Sequence, residues 1–368
     1  MKIAYDAKRF FQNASGLGNY SRDLVRILAT NFTENQYLLF NKKKTERGAQ
    51  ILELPEVTFV ELRGGTLARQ FRMGKQAQDA GAELFHGLSG ELPLRWHPTP
   101  VKKIVTIHDL IFMRYPQFYS LFDRKMHLWK FRKAAQGADR IIAISEQTKQ
   151  DIVHFLKVPE SKVTVVYQGC HHAFQERKTE DVLAAVRAKF ALPDRFILSV
   201  GTVEKRKNLL KVLRAITGTA IPLVVVGKKT KYFKLIQKYI LKNKMEDQVW
   251  FPEEVNMEEL SSLYQLADVF VYPSLFEGFG IPVIEALYSG TAVVTSNTSC
   301  LPEAGGPHSM YIDPENHLDL RAKIIFLWEN DAERVRRAEK SLEFVQKFND
   351  DRVAEAVMAV YQSVLKEQ

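Results

Sequence analysis

Cysteine is nearly absent from this 368-residue chain: Cys170 and Cys300 are the only two, far apart and outside any CxxC spacing. That excludes a disulfide scaffold and a thiolate zinc site. Asp-x-Asp and HExxH patterns are missing as well, and no Ser-His-Asp or Cys-His arrangement announces a nucleophile. No apolar run approaches the roughly 18 residues that a spanning helix needs. The opening MKIAYDAKRFF places Asp6, Lys8 and Arg9 where a secretory apolar region would lie, so the expectation is a cytoplasmic chain without a signal peptide. Low-complexity segments and internal repeats are lacking too. Acidic residues are scarce in the first half only. Residues 1–168 hold 26 Lys and Arg against 16 Asp and Glu, whereas residues 169–368 hold 26 against 27. The net charge of +9 is therefore entirely N-terminal, which points to an acidic partner for that half. No helix-turn-helix, RNP-like or OB-type signature accompanies the charge, so nucleic acid is not expected.

What is present is alternation. Short β-branched runs (KIAYDA, YLLFN, KIVTIHDL, RIIAISE, KVTVVYQG) end at Gly, Asp or Ser and are separated by segments of helical period, such as YSRDLVRILATNF with Tyr20, Leu24, Ile27 and Leu28 on one face. Ser145 in ISEQTKQDIVHFL reads as an N-cap. After a connection between Gln168 and Asp194 the pattern restarts with FILSVGT, PLVVVG, VWFPEE, DVFVYPS and TAVVTSN. Strand-helix alternation predicts parallel sheets, and two such α/β domains facing one another across a cleft would place ligands beyond the carboxyl ends of the strands. The expected boundaries are 1–170, 171–350 and a C-terminal helix over 351–368 that packs back on the first domain.

Three stretches carry candidate chemistry. In PSLFEGFGIPVIEALYSG, Gly278 and Gly280 permit close backbone approach, and Pro282 suits a helix beginning near Ile281. Such a helix start favours a phosphate oxygen. Glu277 and Glu285 flank that start, and carboxylates there are useful only if the ligand also carries hydroxyl donors. In FILSVGTVEKRKNLLKVLRAI, Asn208 is positioned to cap a helix starting at Leu209, and Lys205, Arg206 and Lys207 crowd its N-terminus. Each cation there is unfavourable by roughly 0.3–1 kcal/mol unless an anion such as a diphosphate reverses the sign. In KKIVTIHDL, His108 ends a strand where a ligand-facing side chain is expected; His86 is a second acceptor-side candidate, and His171 and His172 read as structural. NASGLGNYSRDL offers Gly16 and Gly18 just before a helix, without the third glycine of a dinucleotide fingerprint. The segment SLFDRKMHLWKFRKAAQ spaces Phe122, Met126 and Trp129 along one helical stripe among Arg124, Lys125, Lys130, Arg132 and Lys133. That stripe either packs into its domain or lies on an anionic membrane surface.

Together, ASGLGNY, TIHDL, VGTVEKRKNL, PSLFEGFGIPVIEALYSG and SNTSCLPEAGG resemble the retaining nucleotide-sugar glycosyltransferases of family GT4, which have the GT-B fold of two Rossmann-like domains. Glu277 and Glu285 match the family's E-x7-E pattern. The resemblance implies a metal-independent hexosyltransferase with no cofactor, whose co-substrate is an NDP-sugar, with GDP-mannose or a UDP-sugar as donor. It implies that Arg206 and Lys207 hold the diphosphate with Gly18 approaching from the other domain, that Glu277 with Gly278 and the amides of Phe279 and Gly280 holds the transferred sugar, and that Glu285 takes the ribose hydroxyls. His108 resembles the family's active-site histidine. The acceptor would be a glycan or lipid-linked glycan of cell-surface polysaccharide synthesis, met in the cytoplasm or peripherally at the inner face of the membrane. The pattern departs at Thr202, where relatives carry arginine, and at Ser15, where they carry glycine. A sugar-nucleotide epimerase of the same fold, a sugar phosphorylase and a nonenzymatic anion-binding protein are the alternatives. No lysine stands out for the pyridoxal Schiff base a phosphorylase would need.

Overall fold

Runs such as LVVV and VFVY are apolar at consecutive positions rather than alternate ones, the pattern of strands buried on both faces. In the computed structural model, which describes residues 1–14, 16–96 and 98–367, they assemble into two sheets of parallel strands, each within its own compact unit. The replaced glycine position Ser15 lies outside the described residues.

The first unit comprises Met1–Gln168 and Phe348–Gln368. Its strands are β1 (Lys2–Asp6), β2 (Gln36–Asn41), β3 (Val57–Glu61), β4 (Leu84–Gly87), β5 (Lys102–Ile107), β6 (Arg140–Ala143) and β7 (Val163–Val165), in the order β3-β2-β1-β4-β5-β6-β7. The second unit, Gly169–Lys347, holds β8 (Ile197–Val200), β9 (Leu223–Val226), β10 (Val249–Trp250), β11 (Val269–Tyr272), β12 (Ala292–Ser296) and β13 (Met310–Ile312), in the order β10-β9-β8-β11-β12-β13. Both sheets are Rossmann-like. In each the order reverses beside its first strand, between β1 and β4 and between β8 and β11, and such a switch point opens a crevice outside the strand ends.

The core of the first unit is closed by the last helix of the chain. Asp350–Lys366 starts at Asn349, whose side chain accepts from the Arg352 amide, and buries Val353, Val357, Met358, Tyr361 and Val364 against β1 and the helix Gly16–Asn31. Arg26 reaches Asp350 at 2.7 Å. Inside, a polar chain runs through otherwise apolar surroundings: Tyr5 to Tyr361 (3.2 Å), Tyr361 to His86 Nδ1 (2.6 Å), His86 Nε2 to Thr106 (2.8 Å) and Thr106 to Tyr20 (3.1 Å). His86 is fully buried, and that burial, with the neighbouring His108, lowers its pKa to about 3. It is therefore not the acceptor-side group its strand-end position suggested. Both ring nitrogens are spent, Nδ1 on the C-terminal helix and Nε2 on Thr106 of β5.

Two more expectations are corrected by local geometry. After β1 and the short helix Lys8–Gln12, the helix Gly16–Asn31 takes in both glycines, so Gly18 lies inside its first turn rather than in a loop ahead of it. A Cβ on Gly18 would stand 1.9 Å from the Asn13 carbonyl oxygen, so close backbone packing within its own unit already requires glycine here. In the helix Leu121–Gly137, the inward face runs through Leu128, Phe131, Ala134 and Ala135. That phase turns Phe122 (75% exposed) and Trp129 (49% exposed) outward. The stripe does not pack into the domain. Ser145 does cap its helix, accepting from the Thr148 amide.

Because Tyr361 supplies the only hydroxyl shown on His86 Nδ1, Tyr361→Phe leaves a buried ring nitrogen without a partner. We expect a loss of about 1–3 kcal/mol, read as a lower urea or thermal midpoint. An unchanged midpoint would remove the latch role of this pair.

Candidate functional site

At the switch point of the second unit, β8 runs into Gly201, whose φ of 143° is left-handed territory that a side chain resists. The chain then forms the short turn Lys205–Lys207 and enters the helix Leu209–Ile216 through Asn208. Asn208 holds the cap position but does not cap. It adopts φ 62°, and its side-chain amide donates to the carbonyl oxygens of Pro273 (3.0 Å) and Pro314 (2.8 Å). The Leu275 amide donates to the Arg206 carbonyl at 2.9 Å. These bonds lash the cationic turn to the loop that follows β11 and, at Pro314, to the segment after β13. That loop ends at Gly280, with φ 107°, where the helix Ile281–Tyr288 begins with Pro282 in its first turn.

Glu277 is the junction. Its Oε1 lies 2.7 Å from Lys207 Nζ, 2.7 Å from an Arg206 guanidinium nitrogen, 3.0 Å from the Tyr272 hydroxyl and 2.5 Å from the Ser274 hydroxyl. Its Oε2 takes none of these bonds. Burial would raise the carboxyl, but Lys207 and Arg206 outweigh it and hold the pKa at about 2. Burial lowers the Lys207 ammonium against the opposing pull of Glu277. Arg206 also donates to the Phe276 carbonyl (2.8 Å) and to Glu204 (2.7 Å), while Lys205 is exposed. The backbone of the junction is fixed from a third side: the Glu277 amide donates to Ser299 Oγ at 3.2 Å, and the Cys300 thiol donates to the Glu277 carbonyl at 3.1 Å.

Glu285 sits on the inner side of the same helix and accepts from the Tyr264 hydroxyl at 2.9 Å. Burial pushes its pKa up to about 7; the Tyr264 hydrogen bond and the Lys207 charge oppose that rise without cancelling it. The two glutamates of one motif thus differ in kind, one held as a carboxylate and one poised to carry a proton.

Arg206, Lys207, Gly278, Phe279, Gly280, Glu277 and Glu285 therefore gather at one end of one sheet. His108 and Gly18 belong to the first unit. His108 Nε2 donates to the Leu88 carbonyl at 2.9 Å, leaving Nδ1 to accept from the Gln168 amide at 3.3 Å. Burial lowers its pKa to about 4, so the ring is neutral at physiological pH and carries its proton on Nε2. His171 accepts from the Ala173 amide in a local turn. Sequence reasoning missed Tyr264, Tyr272, Ser274 and Gln168. Only Tyr272 and Ser274 left a signal, as hydroxyl-bearing residues adjoining Glu277 in YPSLFE.

Comparison with known proteins places this geometry in context. Residues 14–174 match the family Glycosyltransferase Family 4, and residues 185–344 match Glycosyl transferases group 1. The chain is 24% identical to the O-antigen chain mannosyltransferase B of Escherichia coli over 91% of its own length and 92% of that protein. It is 29% identical to the serotype-specific mannosyltransferase WbdA of Escherichia coli over 64% of its length, which spans only 30% of that longer protein. Among solved structures it resembles the sucrose-phosphate synthase of Thermosynechococcus elongatus, with a TM-score of 0.80 at 21% identity over 100% of both chains. It also resembles Anabaena HepE in complex with UDP-glucose, with a TM-score of 0.77 at 15% identity over 99% of this chain and 100% of that one. These likenesses establish the GT-B fold.

The Glu285 environment generates a pH prediction. A folded carboxyl near pH 7, against about 4.3 unfolded, binds protons more tightly when folded. Its stabilisation is full below about pH 4.3 and is lost as pH rises through 7. Glu285→Gln removes the buried charge, so the variant should exceed the wild type by on the order of 1–3 kcal/mol at pH 8 and match it near pH 4. Unfolding midpoints across that range check it, and a difference independent of pH would contradict it.

Proposed function

Because the chain belongs to glycosyltransferase family 4 and has the GT-B fold, we propose that it moves a hexose from an NDP-sugar to a hydroxyl of a glycan or lipid-linked glycan, with retention at the anomeric carbon and with no metal ion. The observation that carries this reading is the junction at Glu277, where two cations share one strand-end crevice with a carboxylate whose Oε2 lies outside the four bonds made by Oε1. A diphosphate needs the cations, a sugar needs the acceptor oxygen, and only a compound bearing both uses the whole site.

In this reaction the bond between the anomeric carbon and the diphosphate oxygen breaks, and the acceptor oxygen forms the new bond. The acceptor proton passes to the departing diphosphate on the same face. Lys207 and Arg206 stabilise the charge that develops on the leaving group, the largest contribution such a site can make. Glu277 Oε2 accepts from the sugar hydroxyls, and Glu285 from the ribose. Neutral His108 orients a hydroxyl rather than carrying a charge, its Nδ1 exchanging the long 3.3 Å contact with the Gln168 amide for the substrate. Mannose, carried on GDP, is the proposed sugar, supported by the mannosyltransferase names of the relatives; their O-antigen role supports a cell-surface polysaccharide as product. An anion-binding protein would leave the carboxylate pair idle, and an epimerase would convert its donor with no acceptor present.

A panel of GDP- and UDP-sugars, incubated with and without glycan acceptors, tests the proposal by product. New glycosidic product supports it, sugar-nucleotide conversion without acceptor favours an epimerase, and turnover in EDTA tests metal independence. NMR of the product's anomeric signal tests retention. Lys207→Ala should slow transfer by roughly 10²–10³-fold in a folded protein, and Glu277→Gln should abolish transfer while the bare nucleotide still binds. Normal turnover in folded Lys207→Ala would defeat the assignment.

The same reading includes a peripheral site at an anionic membrane. Among the described residues no helix is long and apolar enough to cross a bilayer. The helix Leu121–Gly137 instead presents Phe122, Lys125, Trp129, Arg132 and Lys133 on its outward face, an apolar and cationic combination suited to anionic headgroups. Co-sedimentation with phosphatidylglycerol vesicles should fall in the Phe122→Ala/Trp129→Ala variant and with added salt. Equal binding to phosphatidylcholine vesicles would count against it.

A further inference from the structure

The Glu277 junction is oversubscribed. One carboxylate oxygen offers about two strong acceptor directions, yet four donors converge on Oε1: Lys207, Arg206, Tyr272 and Ser274. The cations and the hydroxyls are not equivalent. Lys207 and Arg206 are the groups a diphosphate would also engage, and each sits on a side chain long enough to divide its donors between two anions. Tyr272 and Ser274 are neutral and fixed. Tyr272 is 1% exposed at the end of β11; its ring stacks on Phe270 with centroids 5.7 Å apart, and its carbonyl accepts from Thr295 at 2.8 Å. Its hydroxyl also accepts from Lys207 Nζ, which lies 4.8 Å from the ring centroid. Burial raises the phenol far above its ordinary range, so the group keeps its proton and remains a donor to Glu277.

We propose that Tyr272 is a positioning residue that favours the sugar-bearing donor over the bare nucleoside diphosphate. Its hydroxyl, with that of Ser274, holds Glu277 Oε1 in place while the cations turn to the diphosphate, so that Oε2 stays directed at the sugar hydroxyls. This inference rests on the NDP-sugar reading above and adds to it the group that fixes the sugar-binding carboxylate. The hydroxyl does not touch substrate; it acts through Glu277.

The test compares two affinities in one protein. Binding of GDP, UDP, GDP-mannose and UDP-glucose is measured by calorimetry for the wild type, Tyr272→Phe and Ser274→Ala, and the ratio of sugar-bearing to bare-nucleotide affinity is taken for whichever base binds. For Tyr272→Phe we expect that ratio to fall roughly tenfold, with bare-nucleotide affinity unchanged within about twofold. The donor KM should rise accordingly. Ser274→Ala should move the ratio in the same direction and serves as the second variant if Tyr272→Phe folds poorly. A merely structural hydroxyl would weaken both ligands equally, leaving the ratio unmoved, and that result overturns the inference while sparing the reading beneath it. A wild-type protein that binds none of the four overturns both.

Discussion

One carboxylate oxygen organises the second unit's strand-end crevice. Glu277 Oε1 draws together the cationic turn after β8, the loop after β11 and, through the backbone of its own residue, the segment after β12. It offsets the like charges of Arg206 and Lys207 in a half-buried turn, while backbone and Asn208 bonds hold the loop Pro273–Gly280 beside it. Breaking such a pair strands a buried charge, which costs far more than the pair contributes. The same bond that serves the chemistry therefore shapes the site.

That arrangement is available only because of where the strands end. The reversal between β8 and β11 separates the two connections that carry Lys207 and Glu277 and points them into one crevice. The helix Ile281–Tyr288 then adds its N-terminus on the same side. The two glutamates acquire opposite protonation habits from their surroundings alone. Glu277 is held by two cations, whereas Glu285 is buried against the Tyr264 hydroxyl with Lys207 opposing the effect of burial only in part. In the first unit the comparable reversal, between β1 and β4, is occupied by the His86 chain of hydrogen bonds. There the titratable group has been turned to holding the last helix of the chain.

Much of this was legible in the sequence because it is written in local rules. Strand-helix alternation gave parallel sheets, the Gly280–Pro282 pair marked a helix start at Ile281, and Ser145 announced its cap. Misreadings arose where a distant segment decides. Asn208 fits every local criterion of an N-cap, yet the carbonyls of Pro273 and Pro314 recruit its amide and force a left-handed backbone. The phase of Leu121–Gly137 follows Leu128 and Phe131 rather than its large aromatics. His86 is claimed by Tyr361, hundreds of residues away in the chain, which no local rule foretells. Tyr272 lies near Glu277 in the sequence, but its meeting with Lys207 depends on the turn after β8, which no local rule places beside it.

The central claim is that this junction answers both halves of an activated sugar, and the most direct measurement is a crystal structure after soaking with GDP-mannose and, separately, UDP-glucose. The account predicts a diphosphate within hydrogen-bonding distance of Lys207 and Arg206, with Glu277 Oε2 on a sugar hydroxyl and Oε1 still held by Tyr272 and Ser274. A bound nucleotide sugar lodged elsewhere, with Glu277 and its four donors undisturbed, would contradict it.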